Sequence, residues 1–340
     1  MTSTGASIHT NPAALFGVEG QVAVVTGGGT GIGLMIATAL ENNGATVYII
    51  GRRLEVIEKA AKENNKFGKL IPLQGDITCR QSLTKLVETV RTRHGYIDLL
   101  AFQSVLWDTG SPEGFAETFD TNVTAIYFTT VAFLELLHLG NLRRGDLPPV
   151  MSLRPQVFNK EPCDDASNDR GSASFSPSVA SHSLPPTSPS PLASLPAGLS
   201  STDSTQATHL PENCIPQPRS QVITISSSGS FRIDARVLSI SYTMAKSACT
   251  HLGRLLANLL ADWGIRSNVL CPGVFPSEMT STQHLTPALL AQAVPLGRAG
   301  VLSDISGPIL FLAGPAGAYV NGAVWLVDGG RVGSVASSYH

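Results

Sequence analysis

The sequence has little cysteine, and what it has is not paired. Five cysteines, Cys79, Cys163, Cys214, Cys249 and Cys271, are scattered over 340 residues with no C-x-x-C spacing. An odd, scattered count argues against a disulfide framework and points to reduced thiols in a cytoplasmic protein. The eight histidines show no H-E-x-x-H or other ligand spacing, so no metal site is expected. An excess of basic charge is also missing. The 23 Lys and Arg stand against 25 Asp and Glu, a net charge of -2, so no positive field marks a nucleic-acid binder. Residues 1–20 lack a basic segment followed by an apolar core, which excludes a secretory signal there. No apolar run reaches the roughly 18 residues of a membrane span, so no membrane partner is expected.

What is present is apolar and rich in glycine: 43% hydrophobic residues and 32 Gly. That suits one large α/β domain or two small ones. Residues 1–19 are small and polar and read as a flexible arm. Gln21 to Val25 reads as a short buried strand, running into Thr26-Gly27-Gly28-Gly29-Thr30-Gly31-Ile32-Gly33. Leu34, Ile36, Ala37 and Leu40 continue as a helix that ends at Asn42-Asn43-Gly44. In this strand–turn–helix, Gly27 can make the tight turn. Gly31 lets the backbone approach a pyrophosphate, and Gly33 lets the helix pack close to the sheet.

The next strand, Thr46 to Ile50, is followed by Gly51-Arg52-Arg53. An acid at this strand end would bind the ribose 2′-hydroxyl of NAD. Gly51 stands in its place, and Arg52 can meet a 2′-phosphate, so the cofactor reads as NADP(H). A helix over 54–63 and a strand over 69–74 lead to Asp76. That residue is within reach of an adenine amino group, or caps a helix starting near Arg80. A strand over 97–102 and a helix over about 115–139, holding Asn122, complete the first part.

Then the alternation stops. Residues 142–220 hold 13 of the 22 prolines, with much Ser, Ala and Thr. Few bulky apolar residues recur at any period, so the stretch is expected to be a disordered insertion. Gln221 to Ile225 is again a strand, followed by Ser226-Ser227-Ser228-Gly229. Ala248, Leu252, Leu255, Leu256 and Leu259 then recur at helical spacing after Tyr242 and Lys246. Tyr242 and Lys246 therefore share a helix face, one turn apart. Strands at 265–270 and 322–327 flank a polar loop at 277–296 and a helix at 303–312. Strand and helix alternate throughout, which implies a doubly wound, Rossmann-like parallel sheet covered on both faces. The domain covers 20–141 and 221–330, with a tail at 331–340.

These residues resemble the short-chain dehydrogenase/reductase family in its single-domain form. The motifs are Thr26–Gly33, Asp76, Asn122, the serine cluster, Tyr242-x-x-x-Lys246, Pro272-Gly273, and Tyr319-Val320-Asn321-Gly322 with Val327-Asp328-Gly329-Gly330. The run Gly273 to Thr280 is similar to that of bacterial NADPH-dependent ketoacyl reductases of the rhamnolipid type and their fungal relatives. The resemblance implies a Rossmann fold and an oxidoreductase that reduces a ketone to a secondary alcohol, or the reverse. It implies Tyr242 as proton donor. A free tyrosine, with a pKa of about 10, is a poor catalyst at neutral pH, and Lys246 would lower that value while holding the nicotinamide ribose. A serine would orient the carbonyl. Strand alignment favours Ser227, and the spacing to Tyr242 keeps Ser228 open. Asn122 would hold a water in a proton relay. Thr26, Gly27, Gly31, Ile32, Gly33, Arg52, Asp76, Phe275 and Ser277 would bind the cofactor together with Tyr242 and Lys246. Family members often assemble through the helices carrying Asn122 and Tyr242, so a homodimer or homotetramer is expected.

The sequence departs from the family's pattern in two places. The family's Asn-Asn-Ala-Gly at the end of the fourth strand reads Phe102-Gln103-Ser104-Val105 here, and the insertion interrupts the domain. The insertion follows a helix that runs back from the cofactor edge, so it leaves from the opposite edge, and the lid is sought at 277–296. Leu285, Leu289 and Leu290 in that loop point to a lipid-like or polyketide ketone. A non-catalytic NADP-binding sensor, or an epimerase or dehydratase using the same tyrosine, are the other readings.

Overall fold

The computed structural model describes residues 11–103, 111–144, 215–233, 239–277 and 286–335. The chain divides into two units, residues 1–153 with 213–340, and residues 154–212. Every described residue belongs to the first unit. The expected insertion falls mostly on 145–214, outside the described residues.

Seven strands form one sheet: β1 (Val22–Thr26), β2 (Thr46–Gly51), β3 (Leu70–Gln74), β4 (Leu99–Gln103), β5 (Gln221–Ile225), β6 (Arg266–Pro272) and β7 (Val324–Val327). Their order is β3-β2-β1-β4-β5-β6-β7, and every neighbouring pair is parallel. The order reverses between β1 and β4, and the crevice beyond the strand ends at such a switch point is where ligands bind in open α/β sheets. β1 and β5 are buried along their whole length, which is why neither shows the apolar–polar alternation of a half-exposed strand.

The helices are α1 (Pro12–Phe16), α2 (Gly31–Glu41), α3 (Leu54–Asn64), α4 (Arg80–His94), α5 (Pro112–Phe119), α6 (Ala125–Arg143), α7 (Ile240–Leu259), α8 (Pro287–Ala293) and α9 (Leu302–Ala313). One face of the sheet carries a core built with α2, α3 and α9, including Ile36, Leu40, Ile57 and Ile309. The other carries a core with α4, α6 and α7, including Leu86, Phe133, Leu137 and Leu256. Val25 and Ala101 point to the first core, and Val24 and Leu100 to the second, as the two-residue strand period requires.

Three local expectations differ. Where a flexible arm is expected, Asn11 caps α1 through its side chain, which accepts from the Ala13 amide at 3.0 Å. The Phe16 ring lies 6.3 Å from Phe311 on α9, so apolar contact holds this short helix in place. The helix expected over 115–139 is α5, a π turn (Asp120–Thr124) and α6 in sequence. The continuous stretch Pro112–Arg143 is also long and apolar enough to cross a membrane by length and composition, contrary to the sequence reading. Half of its most apolar window is buried against the rest of the protein.

The ends of the expected insertion meet at the N-terminal edge of the sheet. Asn141 Oδ1 accepts from the Ser220 amide at 2.7 Å, and its Nδ2 donates to Gly264 O at 3.1 Å. Arg144 donates to the Pro218 carbonyl and to the buried Asp98 carboxylate. Asp98 in turn accepts from the first amide of β1, Val22, at 2.8 Å. A domain with its chain ends held together tolerates a long connection, because loop-closure entropy grows slowly with length. Replacing 145–214 with a short Gly/Ser linker, keeping Arg144 and residues 215–220, is expected to leave turnover within about twofold and the melting temperature unchanged or higher. A fall in melting temperature, or loss of turnover, would show that the replaced segment packs on this unit.

Candidate active site

The turn after β1 is built by contacts that leave no room for a side chain. Gly27 has φ +63°, and a Cβ there would lie 2.2 Å from Gln103 O. A Cβ on Gly33 would lie 2.1 Å from Gly27 O. Gly33 therefore closes the first turn of α2 onto the loop itself, a tighter contact than the helix–sheet packing expected of it. Gly31 (φ +53°) faces the loop after β6, where a Cβ would come 3.1 Å from Ser277 Cβ. Ile32 is half-buried against the α2-side core. Thr30 at the N-cap makes no side-chain hydrogen bond, so the first turn of α2 presents its N–H groups without a cap. A pyrophosphate fits such a cradle. Thr26 lies inside the sheet, 1% exposed, and its Oγ1 is a buried hydroxyl oxygen with no partner.

At the end of β2, a Cβ on Gly51 would meet Ile57 Cγ2 at 2.8 Å. An acid at this position would need Ile57 to move. The Arg52 side chain is exposed beside it, and its backbone carbonyl accepts from Gln74 Nε2 at 3.0 Å. Asp76 does not cap α4, whose N-cap is Cys79. Instead its Oδ1 accepts from the Thr78 amide at 2.9 Å and from the Thr78 hydroxyl at 2.7 Å. That Asx turn fixes the carboxylate just beyond β3.

The altered end of β4 sits against the glycine turn. Phe102 is fully buried in the α6-side core, and Gln103 packs its backbone and Cβ against Gly27 and Gly33. Gln103 Oε1 is buried with no partner. Ser104 and Val105 lie outside the described residues.

Across the crevice, Ser239 caps α7, accepting from the Tyr242 amide at 3.2 Å. The cap sets Tyr242 in the first turn and Lys246 one turn on. Tyr242 is 7% exposed and Lys246 is fully buried. Lys246 Nζ lies 5.9 Å from the centroid of the Tyr242 ring and donates to Ile225 O at 3.2 Å. An ammonium is rarely buried so deeply without a functional or structural demand. The three serines after β5 separate by contact. Ser226 Oγ donates to Lys246 O at 2.9 Å and lies 2.7 Å from Thr250 Oγ1, binding β5 to α7. Ser228 is buried at the start of a 3-10 turn (Ser228–Phe231). Ser227 is half-buried, and its Oγ accepts from the Gly229 amide at 3.0 Å.

Asn122 lies in the π turn, which packs on α7. Its Nδ2 donates to Thr118 O at 2.9 Å, while its fully buried Oδ1 has no partner. The amide of Ala125 reaches back five residues to Asp120 O. Such a widened turn is rare and occurs often at functional sites. Sequence periodicity cannot show it, because one inserted residue barely disturbs the 3.6-residue pattern.

After β6, the Phe275 ring is buried against Gly300, where a Cβ would lie 2.3 Å from it. Only the backbone of Phe275 can face a cofactor. Ser277 is half-buried opposite Gly31. Residues 278–285, including Leu285, lie outside the described residues. Helix α8 occupies part of the expected lid, with Leu290 buried and Leu289 exposed.

A parallel sheet with a glycine turn at its switch point and a Tyr–Lys helix packed on β5 and β6 is the architecture of an α/β dinucleotide-binding enzyme. Comparison with known proteins specifies the family. The profile described as short chain dehydrogenase matches residues 21–153, and one described as enoyl-(acyl carrier protein) reductase matches 200–331. The short-chain dehydrogenase/reductase PhomF of Diaporthe leptostromiformis is 36% identical over 353 aligned residues, covering 96% of each chain. The rhamnolipids biosynthesis 3-oxoacyl-[acyl-carrier-protein] reductase of Pseudomonas aeruginosa is 25% identical, covering 93% of this chain and 97% of its own. Among solved structures, the Pseudomonas aeruginosa RhlG/NADP active-site complex superposes with a TM-score of 0.65 at 24% identity, covering 94% of this chain and 99% of that one. The chain belongs to the short-chain dehydrogenase/reductase family. It is an oxidoreductase of a family that uses a nicotinamide cofactor and acts on small molecules.

Proposed function

We propose that this protein is an NADP(H)-dependent reductase of a ketone, or dehydrogenase of the matching alcohol. The reading rests on Tyr242 one turn before the fully buried Lys246, beside the end of β5. Bound in the crevice, the cofactor supplies or accepts the hydride. Tyr242 donates the proton to the carbonyl oxygen, and Ser227 holds that oxygen in place by a hydrogen bond. Lys246 stabilises the phenolate left behind and binds ribose hydroxyls. Asn122, in its widened turn, fixes the water through which Lys246 is resupplied with a proton. Thr26 and the turn Gly27, Gly31, Ile32 and Gly33 hold the pyrophosphate end. Asp76 takes the adenine, and the Phe275 backbone and Ser277 take the nicotinamide side. The experiment is NADPH oxidation with a panel of ketones. Binding of NADPH without turnover of any of them would point to a sensor.

The choice of NADP over NAD is supported at the end of β2, where Gly51 leaves no room for an acid and Arg52 is exposed. Arg52→Ala is expected to weaken NADPH binding by about 1–3 kcal/mol, the range of a charge-assisted contact, and to leave NADH binding nearly unchanged. Equal losses for both cofactors would assign Arg52 to the fold.

The substrate in this reading is a lipid-like or polyketide ketone. Leu290 is buried and Leu289 exposed in the α8 region, and one relative is named for reduction of 3-oxoacyl groups. The assembly is a homodimer or homotetramer. Tyr127 and Phe128 on α6 and Met244, Leu255 and Leu259 on α7 are exposed, more apolar side chain than two solvent-facing helices usually carry. Sedimentation should show an oligomer that Phe128→Glu with Leu259→Glu dissociates, and a monomeric parent protein would overturn this. Its place is the cytoplasm, supported by the free thiols Cys79, Cys249 and Cys271, and activity recovered only in an organelle fraction would count against it.

A further inference from the structure

The fourth strand ends at the switch point of the sheet. β4 lies between β1 and β5 in the strand order. Phe102 pairs with Thr26, so its last residue, Gln103, stands level with Gly27 on one side. On the other side Gln103 pairs with Ile225. The carbonyl of Ile225 is the one that accepts from Lys246 Nζ at 3.2 Å. Ala101, two residues earlier, points to the α2-side core, so Gln103 turns its side chain to that face too. There a Cβ on Gly27 or Gly33 would lie 3.5 or 3.3 Å from Gln103 Cβ. Both glycines therefore leave room for this side chain at the turn. Gln103 stands in the departure from the family's Asn-Asn-Ala-Gly, and it is one methylene longer than the asparagine of that pattern.

Gln103 is half-buried, and its Oε1 is a buried oxygen with no hydrogen-bond partner. A buried carbonyl oxygen without a donor is costly, and most such atoms in folded proteins are paired. The missing partner must bring a donor. Of the cofactor's parts, the diphosphate offers acceptors, whereas a ribose hydroxyl donates as well as accepts. The strand order then chooses between the two riboses. The adenosine ribose is assigned to the end of β2, on the far side of β1 from Gln103. The nicotinamide ribose is assigned to Lys246, whose ammonium is held on the strand beside Gln103. Three rotatable side-chain bonds let the carboxamide turn toward the crevice once a donor is there. Binding then pairs an oxygen that is unpaired in the free protein, and the gain adds to affinity.

We propose that Gln103 is a cofactor-binding residue whose carboxamide pairs with a hydroxyl of the nicotinamide-side ribose. The proposal rests on the NADP(H) reading above and adds a contact that the glycine turn, Arg52 and Lys246 do not supply. The test measures binding by calorimetry with the full-length protein and three ligands. NADPH carries the whole site, 2′-phospho-ADP-ribose keeps that ribose and lacks the nicotinamide, and adenosine 2′,5′-bisphosphate lacks both. Gln103→Met keeps the length of the side chain and removes the carboxamide. It is expected to weaken the first two ligands by about three- to tenfold, the range of one neutral hydrogen bond, and to leave the third within about twofold. The melting temperature without ligand should stay unchanged or rise, since the oxygen removed has no partner there. No loss for any ligand, an equal loss for all three, a loss confined to NADPH, or a fall in that melting temperature would each overturn the proposal. Failure of the NADP(H) reading has a different signature: the parent protein would bind neither NADPH nor the bisphosphate, and the proposal would fall with it.

Discussion

Tyr242→Phe is expected to lower turnover by at least about a hundredfold while NADPH affinity stays within about twofold, since a positioned proton donor contributes about 10²–10⁴-fold to rate. The substitution removes one hydroxyl from a residue that is 7% exposed and keeps the ring that packs there. The hydroxyl acts on the carbonyl oxygen as negative charge develops, so its loss falls on the transition state and not on the bound cofactor. Single-turnover kinetics with NADPH, beside a fluorescence titration of cofactor binding, separates the two quantities. A variant keeping more than a few per cent of parental turnover would remove Tyr242 from the proton-donor role.

Lys246→Met should produce a different pattern, a comparable loss of turnover together with about tenfold weaker NADPH binding, the scale of one hydrogen bond to a charged group. Lys246 is fully buried, and its ammonium donates to Ile225 O at 3.2 Å. Methionine keeps much of the side-chain volume, so the packing between α7 and β5 is retained. Replacing a buried charge by an apolar group of similar shape is often neutral for stability or favourable. The orphaned Ile225 carbonyl opposes that gain by about 1–3 kcal/mol. The melting temperature is therefore expected to move by no more than several degrees, and this readout makes the result interpretable. A loss of turnover accompanied by unfolding would mean that Lys246 chiefly holds α7 on the sheet. Full turnover with normal cofactor affinity would exclude it from the site.

The sheet was legible in the chain because parallel strands covered on both faces are written as short apolar runs, each ended by glycine or a polar turn. Val22 to Val25, Val47 to Ile50 and Val222 to Ile225 are of this kind, and periodicity with punctuation was enough to find them. The site elements were legible for a related reason. Gly27, Gly31 and Gly33 stand where backbone approaches backbone, and Tyr242 and Lys246 are four apart on one helix, so their chemistry is local in sequence. Other features were not local. The π turn around Asn122 alters one hydrogen-bond register inside a long apolar helix and leaves the side-chain period almost intact. The Ser226-Ser227-Ser228 run offers three similar hydroxyls, and only the contacts of Ser226 with Lys246 O and Thr250 separate it from the other two.

What the sequence by itself determined, then, is the order of strands and helices, the glycine turn and the Tyr–Lys pair, because each is set by residues within a few positions of one another. The tertiary structure alone decided that Phe275 turns its ring into the core and that Gly51 has Ile57 against it. It also decided that the described chain on either side of residues 145–214, at Asn141 to Arg144 and at Pro218 to Ser220, meets at the sheet edge away from the glycine turn. Those outcomes depend on which strand lies beside which, and a crossover connection brings distant residues together without leaving any local periodicity to read.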